Sequence, residues 1–235
     1  MPVRETIPVK SLLAEGVVIV VSVLLALAAD AWLDRRQEDE AVAQHLQALQ
    51  RDFGQMEARM DSVVGQNARN FASSQVLLGR LTPDAPPIPS DSLYSAVVTL
   101  VDYAVFSPST AAYSSLTATG QIELLDDPEL KRLLAEFFGY FEDFEVTEAA
   151  IQRVVFDMLL SEEFGQLIGF DEVVRRFGAG VVQDEWTDAS EIAQGRDLMN
   201  HLGVLSAMYL QASQDYLWMS DRIGEIRARL PAIEE

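Results

Sequence analysis

The stretch LMNHLGVLSAMYLQASQDYLWMSDRIGEIRARL, residues 198–230, decides the fold. Its apolar positions are Leu198, Leu202, Leu205, Tyr209, Ala212, Tyr216, Met219, Ile223, Ile226 and Leu230, in steps of four and three without a slip. A helix turns once in about 3.6 residues, so this spacing lays them along one stripe. Such a stripe has to be covered by other helices. Val42, Leu46, Leu49, Phe53, Met56, Met60 and Val63 repeat the same alternation near the other end of the chain, with Gln, Glu and Arg between them. Two such seams predict an all-α fold: a long-helix antiparallel bundle in which the last helix lies along the first.

Between the seams, punctuation marks shorter elements. LTPDAPPIPSD (81–91), with four prolines, ends the first rod near Leu78 as an extended loop. Ser90 or Asp91 can cap a helix through LYSAVVTLVDYAVF (93–106), and Pro108 breaks it. STAAYSSLTAT (109–119) reads as a short helix stopped by Gly120 in a left-handed position. Asp127-Pro128 is a start signal, an N-cap carboxylate before proline at the first helical position. The helix it opens runs to Leu160 and carries Phe137, Phe138, Tyr140, Phe141 and Phe144, which read as core rings. The glycine-bearing segment 161–188 is less regular.

Upstream of the first seam, GVVIVVSVLLALAA (16–29) carries no charge. Extended to 12–33 it reaches the roughly 20 residues that a bilayer core requires. Glu15 and Asp30 then sit at head-group depth, Trp32 at the interface, and Arg35 and Arg36 close it as a polar stop. The rival reading is a cleaved signal peptide, with Arg4 and Lys10 ahead of the apolar run and Ala26-Leu27-Ala28 as the cleavage site. Helix-compatible sequence continues past that site with no Pro or Gly, which favours an uncleaved anchor running straight into the stalk. The expected organisation is a tail at 1–11, a transmembrane helix at 12–33 and an acidic helical-bundle domain at 34–235. Lys and Arg are nearly balanced across the span, and the short tail is assigned to the cytoplasm and the large domain to the periplasm of a bacterial inner membrane.

Glu15, Ile19, Ser22, Ala26 and Ala29 share one face of that helix. Small residues on one stripe let helices approach in lipid, so Glu15, Ile19, Ser22, Ala26, Ala29, Asp30 and Trp32 form the candidate membrane-helix interface. A second reading gathers copies of the span around Glu15 and Ser22 as an oligomeric effector or channel-like assembly.

Three stretches together resemble an uncharacterised family of bacterial single-pass inner-membrane proteins, a domain of unknown function. The family opens its span with Glu and an aliphatic run and closes it with Leu-x-Ala-Leu, polar residues and Trp. Here those positions are Glu15-Gly16, then Leu24-Leu25-Ala26-Leu27, Asp30 and Trp32. Ala112-Tyr113-Ser114-Ser115-Leu116 with Gly120, Ile122 and Leu124 is the second match, and Asp127-Pro128-Glu129-Leu130 the third. Ser22 stands where the family usually has Gly, Asp30 where it has Asn, and the tail before the span is less basic. The resemblance implies a periplasmic helical domain anchored by its N-terminus, and no reaction.

Composition narrows the chemistry further. The 235 residues hold 37 Asp+Glu against 17 Lys+Arg, a formal charge of −20, which repels nucleic acid and excludes it as a partner class. Without cysteine there is no thiolate nucleophile, thiolate metal site or disulfide. His45 and His201 fall far apart in an antiparallel bundle, with His45 expected beside Arg227. Carboxylates cluster at Glu162, Glu163, Asp171 and Glu172 and at Asp184, Glu185 and Asp188, which reads as solvated surface without calcium-loop spacing. A membrane-surface enzyme using the acids near Asp171 and Glu172 is a further alternative. Walker, nucleophile-elbow, H-E-x-x-H and dinucleotide motifs are absent from the sequence. Tyr113, Ser114, Ser115 and Gly120 form the most distinctive motif of the domain, read as a short helix whose Tyr docks in the bundle or as a partner surface. The leading expectation is a membrane-anchored scaffold or accessory subunit, not an enzyme and without cofactor. Its expected partners are the lipid bilayer and either further copies of itself or another envelope protein.

Overall fold

The computed structural model describes the backbone of residues 9–80, 90–161, 164 and 196–231, and their side chains except at 9–17, 90, 91 and 94. The elements are α1 (Val9–Arg80), α2 (Ser90–Val101), α3 (Ala111–Ala118), a 3-10 turn (Gln121–Leu124), α4 (Pro128–Leu159) and α5 (Arg196–Arg229), with no strand among the described residues. α5 packs along both α1 and α4, while α2 and α3 lie against α1.

The two seams meet. Leu49, Phe53, Met56, Met60 and Val63 of α1 and all ten apolar positions from Leu198 to Leu230 are buried in one core. Burying each large apolar side chain is worth about 1.5–3 kcal/mol relative to leaving it in water. Val42 and Leu46 are half-buried, because they lie where the bundle ends. Cross-links fix the direction: Glu57 pairs with Arg227, Asn67 Nδ2 donates to Tyr209 O at 2.9 Å, and Gln75 reaches Ser206. Numbers rise on α1 as they fall on α5, so the pair is antiparallel. On the other side of α5, Asp127 meets Arg229 and Tyr140 meets Asp215, so α4 is antiparallel to it as well.

The register differs from the expected one. Arg227 pairs with Glu57 and not with a residue near His45, a slide of twelve positions or about 18 Å. An apolar seam of four-and-three steps recurs along the whole of each helix and can face its partner at several offsets, so spacing alone does not set the register. Polar residues do: beyond Val63 the α1 seam continues as buried Asn67, Asn70 and Ser74. Asn67 also donates to Ser213 Oγ at 2.7 Å.

The second helix stops at Val101, short of the expected Phe106. The chain from 102 to 110 instead runs as a strap whose backbone is held by side chains from other helices. Gln66 and Asn70 donate to Asp102 O at 2.8 and 3.0 Å, and Arg59 donates to Val105 O at 3.1 Å. Tyr209 Oη donates to Leu100 O at 2.8 Å, and the Phe106 N–H donates to Glu148 at 2.8 Å. Carbonyls that a longer helix would use internally are taken by these tertiary partners.

Local start and stop signals act as their chemistry requires. Gly120 has φ of +71°, the left-handed region that a Cβ disfavours, and it turns the chain out of α3. Asp127 Oδ1 accepts from the N–H groups of Glu129 and Leu130 at 2.9 and 3.1 Å, with Pro128 opening α4.

Below the bundle α1 continues alone. Every described residue from 18 to 40 is exposed, a bare helix about 35 Å long. Among the described residues no helix is long and apolar enough to cross a membrane. That leaves the expected span at 12–33 without structural support. Its first six side chains lie outside the described set, and the run from 18 to 33 covers only about 24 Å of the roughly 30 Å of hydrocarbon. The expected proline loop at 81–89, most of the irregular segment after Ser161, and the acidic groups at 162–163, 171–172 and 184–188 also lie outside the described residues.

Candidate functional site

The stalk carries the first set of candidate residues. Ile19, Ser22, Ala26 and Ala29 fall on one stripe of α1, all exposed, and Glu15 lies outside the described side chains. The stripe is not set apart from its surroundings, because Val20 at 57%, Leu24 at 59% and Leu27 at 59% exposure lie on the opposite side of the helix. Ser22 Oγ donates to Val18 O at 2.7 Å, so its hydroxyl proton is used within its own helix. Asp30 is exposed beside Trp32. The Arg36 guanidinium lies 5.6 Å from the Trp32 ring centroid and pairs with Glu40 at 3.2 Å.

Tyr113 anchors the second set. Its ring stacks on buried Phe138 with centroids 4.2 Å apart and planes 10° from parallel. Phe138 and Phe137 are edge to face, and both meet Phe53 of α1. The short α3 is thereby docked on the aromatic row of α4. Ser114, Ser115 and Gly120 stay exposed. Ser115 O caps the end of the helix by accepting from Thr119 N–H and Oγ1. Thr110, Tyr113, Ser114, Thr117, Ala118, Phe138, Phe141, Glu142 and Glu145 enclose a groove of about 570 Å³ between α3 and α4. Burial, with the Glu142 charge beside it, raises the Tyr113 phenol above its ordinary value. Among the described residues no histidine lines the groove, and the titratable groups beside Ser114 are Tyr113, Glu142 and Glu145.

Glu142 and Glu145 escaped sequence reasoning because on a helix exposed acids look like an ordinary solvent face. Their offsets from Phe138 and Phe141, four residues each, place them above two core rings, and that spacing was the available signal.

Sequence reasoning also missed a buried polar cluster behind the strap. Glu148 is 6% exposed, and its Oε1 accepts from Tyr216 Oη at 2.6 Å and from the Phe106 N–H. Burial pushes the Glu148 carboxyl up, against the two hydrogen bonds that favour its charge. Desolvation pushes the Tyr209 phenol up to about 12, and it drives Tyr216 up strongly with Glu148 adding to it. Desolvation and then Asp215, which accepts from Tyr140 Oη at 2.6 Å, raise Tyr140 to about 12. These groups bond to one another and to backbone, and they do not open onto the α3–α4 groove. They lock the strap, α4 and α5 together.

His45 and His201 stay apart. Gln75 is level with Ser206, so His201 lies beside the last turn of α1, about 50 Å along the axis from His45. His201 Nδ1 is 2.9 Å from Asp197 O within its own helix. Among the described residues no group of three or more His, Asp or Glu could hold a metal ion. No protein-family model, no curated protein and no solved structure matches this chain.

Proposed function

We propose that the chain is a membrane-anchored helical scaffold or accessory subunit of the bacterial envelope, acting through protein–protein association. The observation that carries the reading is the apolar run of α1 left outside the core. Val18, Ile19, Val20 and Val21 are consecutive and each about half or more exposed, so they clothe the helix on every side. A surface helix of a water-soluble bundle is apolar on one stripe, whereas a helix apolar all round belongs in a protein interior or in lipid. In the sequence, 12–17 adds Leu12, Leu13, Ala14 and Val17 to the run, and α1 is already helical from Val9. Six more residues add about 9 Å, and the combined 12–33 then matches the hydrocarbon thickness. Trp32 and Arg36, stacked at its end, suit the interface.

In this reading residues 1–11 face the cytoplasm and the acidic bundle stands in the periplasm. The association is with further copies of the chain or with another envelope protein. Two measurements test it. After alkaline carbonate washing of membranes the full-length chain is expected to stay in the pellet, and release into the supernatant would remove the anchor. Native mass spectrometry of gently extracted protein is expected to give a repeated mass or a second polypeptide at fixed stoichiometry. A lone monomer would overturn the association.

A further inference from the structure

The α3–α4 groove joins features that each point to one class of occupant. Phe138 and Phe141 form an apolar floor, and Tyr113 lies flat on the first of them. Glu142 and Glu145 stand on one rim, three residues apart on α4, and neither is in an ion pair among the described residues. On the same helix Glu129 and Glu136 both hold Arg132, while Asp143 and Asp157 are, like the two rim acids, exposed and in no ion pair among the described residues. Among the described residues no Lys, Arg or His lines the groove. The Tyr113 hydroxyl also has no hydrogen-bond partner among the described residues, although the Glu142 charge acts on it. Thr110, Ser114 and Thr117 follow at steps of four and three along the opposite rim. Thr117 Oγ1 donates to Tyr113 O and Ser114 O within α3, which leaves its lone pairs to accept from outside.

We propose that this groove docks a lysine- or arginine-bearing segment of a partner protein. The cation sits between Glu142 and Glu145, its aliphatic stem lies over Tyr113 and Phe141, and the hydroxyl rim accepts N–H groups of the bound segment. A cation beside an aromatic ring gains from the ring's negative face, and the paired carboxylates add direct attraction. Anionic ligands are repelled by the same two carboxylates. The inference rests on the association proposed above and names the surface and charge class of the partner.

The test uses the full-length chain in zwitterionic nanodiscs and a fluorophore-labelled peptide of alternating Lys and Ser, read by anisotropy. The double variant E142Q/E145Q is expected to weaken binding roughly fivefold or more, in keeping with two partly desolvated charge contacts. The control D61N/D221N removes the same charge from exposed positions outside the groove and is expected to change it less than about twofold. Equal loss in both variants would show that the peptide senses net charge alone, and would overturn the site. Absence of binding to the unaltered chain would overturn it too. Native mass spectrometry separates the two proposals: a partner still held at full stoichiometry by E142Q/E145Q overturns the groove and leaves the association standing.

Discussion

The two halves of α1 share one backbone conformation and live in different surroundings. Between 49 and 63 the helix is apolar on one stripe, which continues through buried Asn67, Asn70 and Ser74 to Leu77. That stripe is covered by the other helices, chiefly α5. Between 18 and 33 it is apolar on every side, and all of it is exposed. Nothing interrupts the helix between the two. Local propensity and hydrogen bonding therefore set the helix, while the angular distribution of side chains sets what each half must be covered by. The upper half is covered by neighbouring helices, α5 above all, with α2 and α3 beside it. The lower half has no such cover among the described residues.

Substitutions in the two halves should separate these requirements. Phe53→Ala empties a fully buried site in the α1 seam and is expected to cost about 3–5 kcal/mol of unfolding free energy. It should leave the chain in the membrane pellet. Leu25→Arg, near the middle of the exposed run, is expected to oppose insertion by about 2.5–3.5 kcal/mol and to spare bundle unfolding followed by near-ultraviolet circular dichroism. If either variant moved both readouts, the division of α1 into two regimes would fail.

Polar interactions inside the bundle allow a finer test. Tyr216→Phe removes one of the two donors to buried Glu148 and is expected to cost about 1–3 kcal/mol in chemical unfolding. An unchanged midpoint would mean that the strap is held without this cluster. The pH profile follows from the raised Glu148 carboxyl. The folded protein holds that proton more tightly than the unfolded chain, so this residue favours the fold in acid. Its contribution is lost as pH rises from the ordinary value of 4.5 through the higher folded one. Glu148→Gln should therefore gain stability relative to the unaltered chain across that rise, and a pH-independent difference would refute it. Asp127 acts in the opposite sense. Backbone N–H donation from Leu130 is the largest influence on its carboxyl and, with Arg229, holds it below its ordinary value. Its stabilisation is present above pH 3.8 and lost as pH falls through the folded value. Asp127→Ala should give the smallest effect of the series, a slight fall in midpoint that disappears in acid.

The α1 and α5 seams and the Gly120 and Asp127 signals were legible in the sequence because each depends on spacing or on a neighbour within four residues. The end of α2 was not. Leu100 O, Asp102 O and Val105 O are taken by Tyr209, Asn70 and Arg59, partners remote in sequence. The α1–α5 register was hidden for a related reason, since Asn67, Asn70 and Ser74 interrupt an apolar pattern and carry the information that fixes it. Of the groove, Tyr113 could be read as a docking ring, but the partnership of α3 with Glu142 and Glu145 exists only after α3 folds onto α4. The span expected at 12–33 rests on composition.

The unbroken helix from the stalk into the bundle has a rotational consequence. No Gly or Pro occurs between Val18 and Leu46 to act as a swivel. Each residue of an α-helix turns the chain by about 100°, so whatever fixes the heading of the lower half fixes the compass bearing of the α3–α4 groove. One residue inserted near Arg36 would swing the groove by about 100°, while seven would return it to nearly the same heading about 10 Å higher. A partner that docks there would accept the second change far more readily than the first, and the helix would be serving as a protractor as well as a tether.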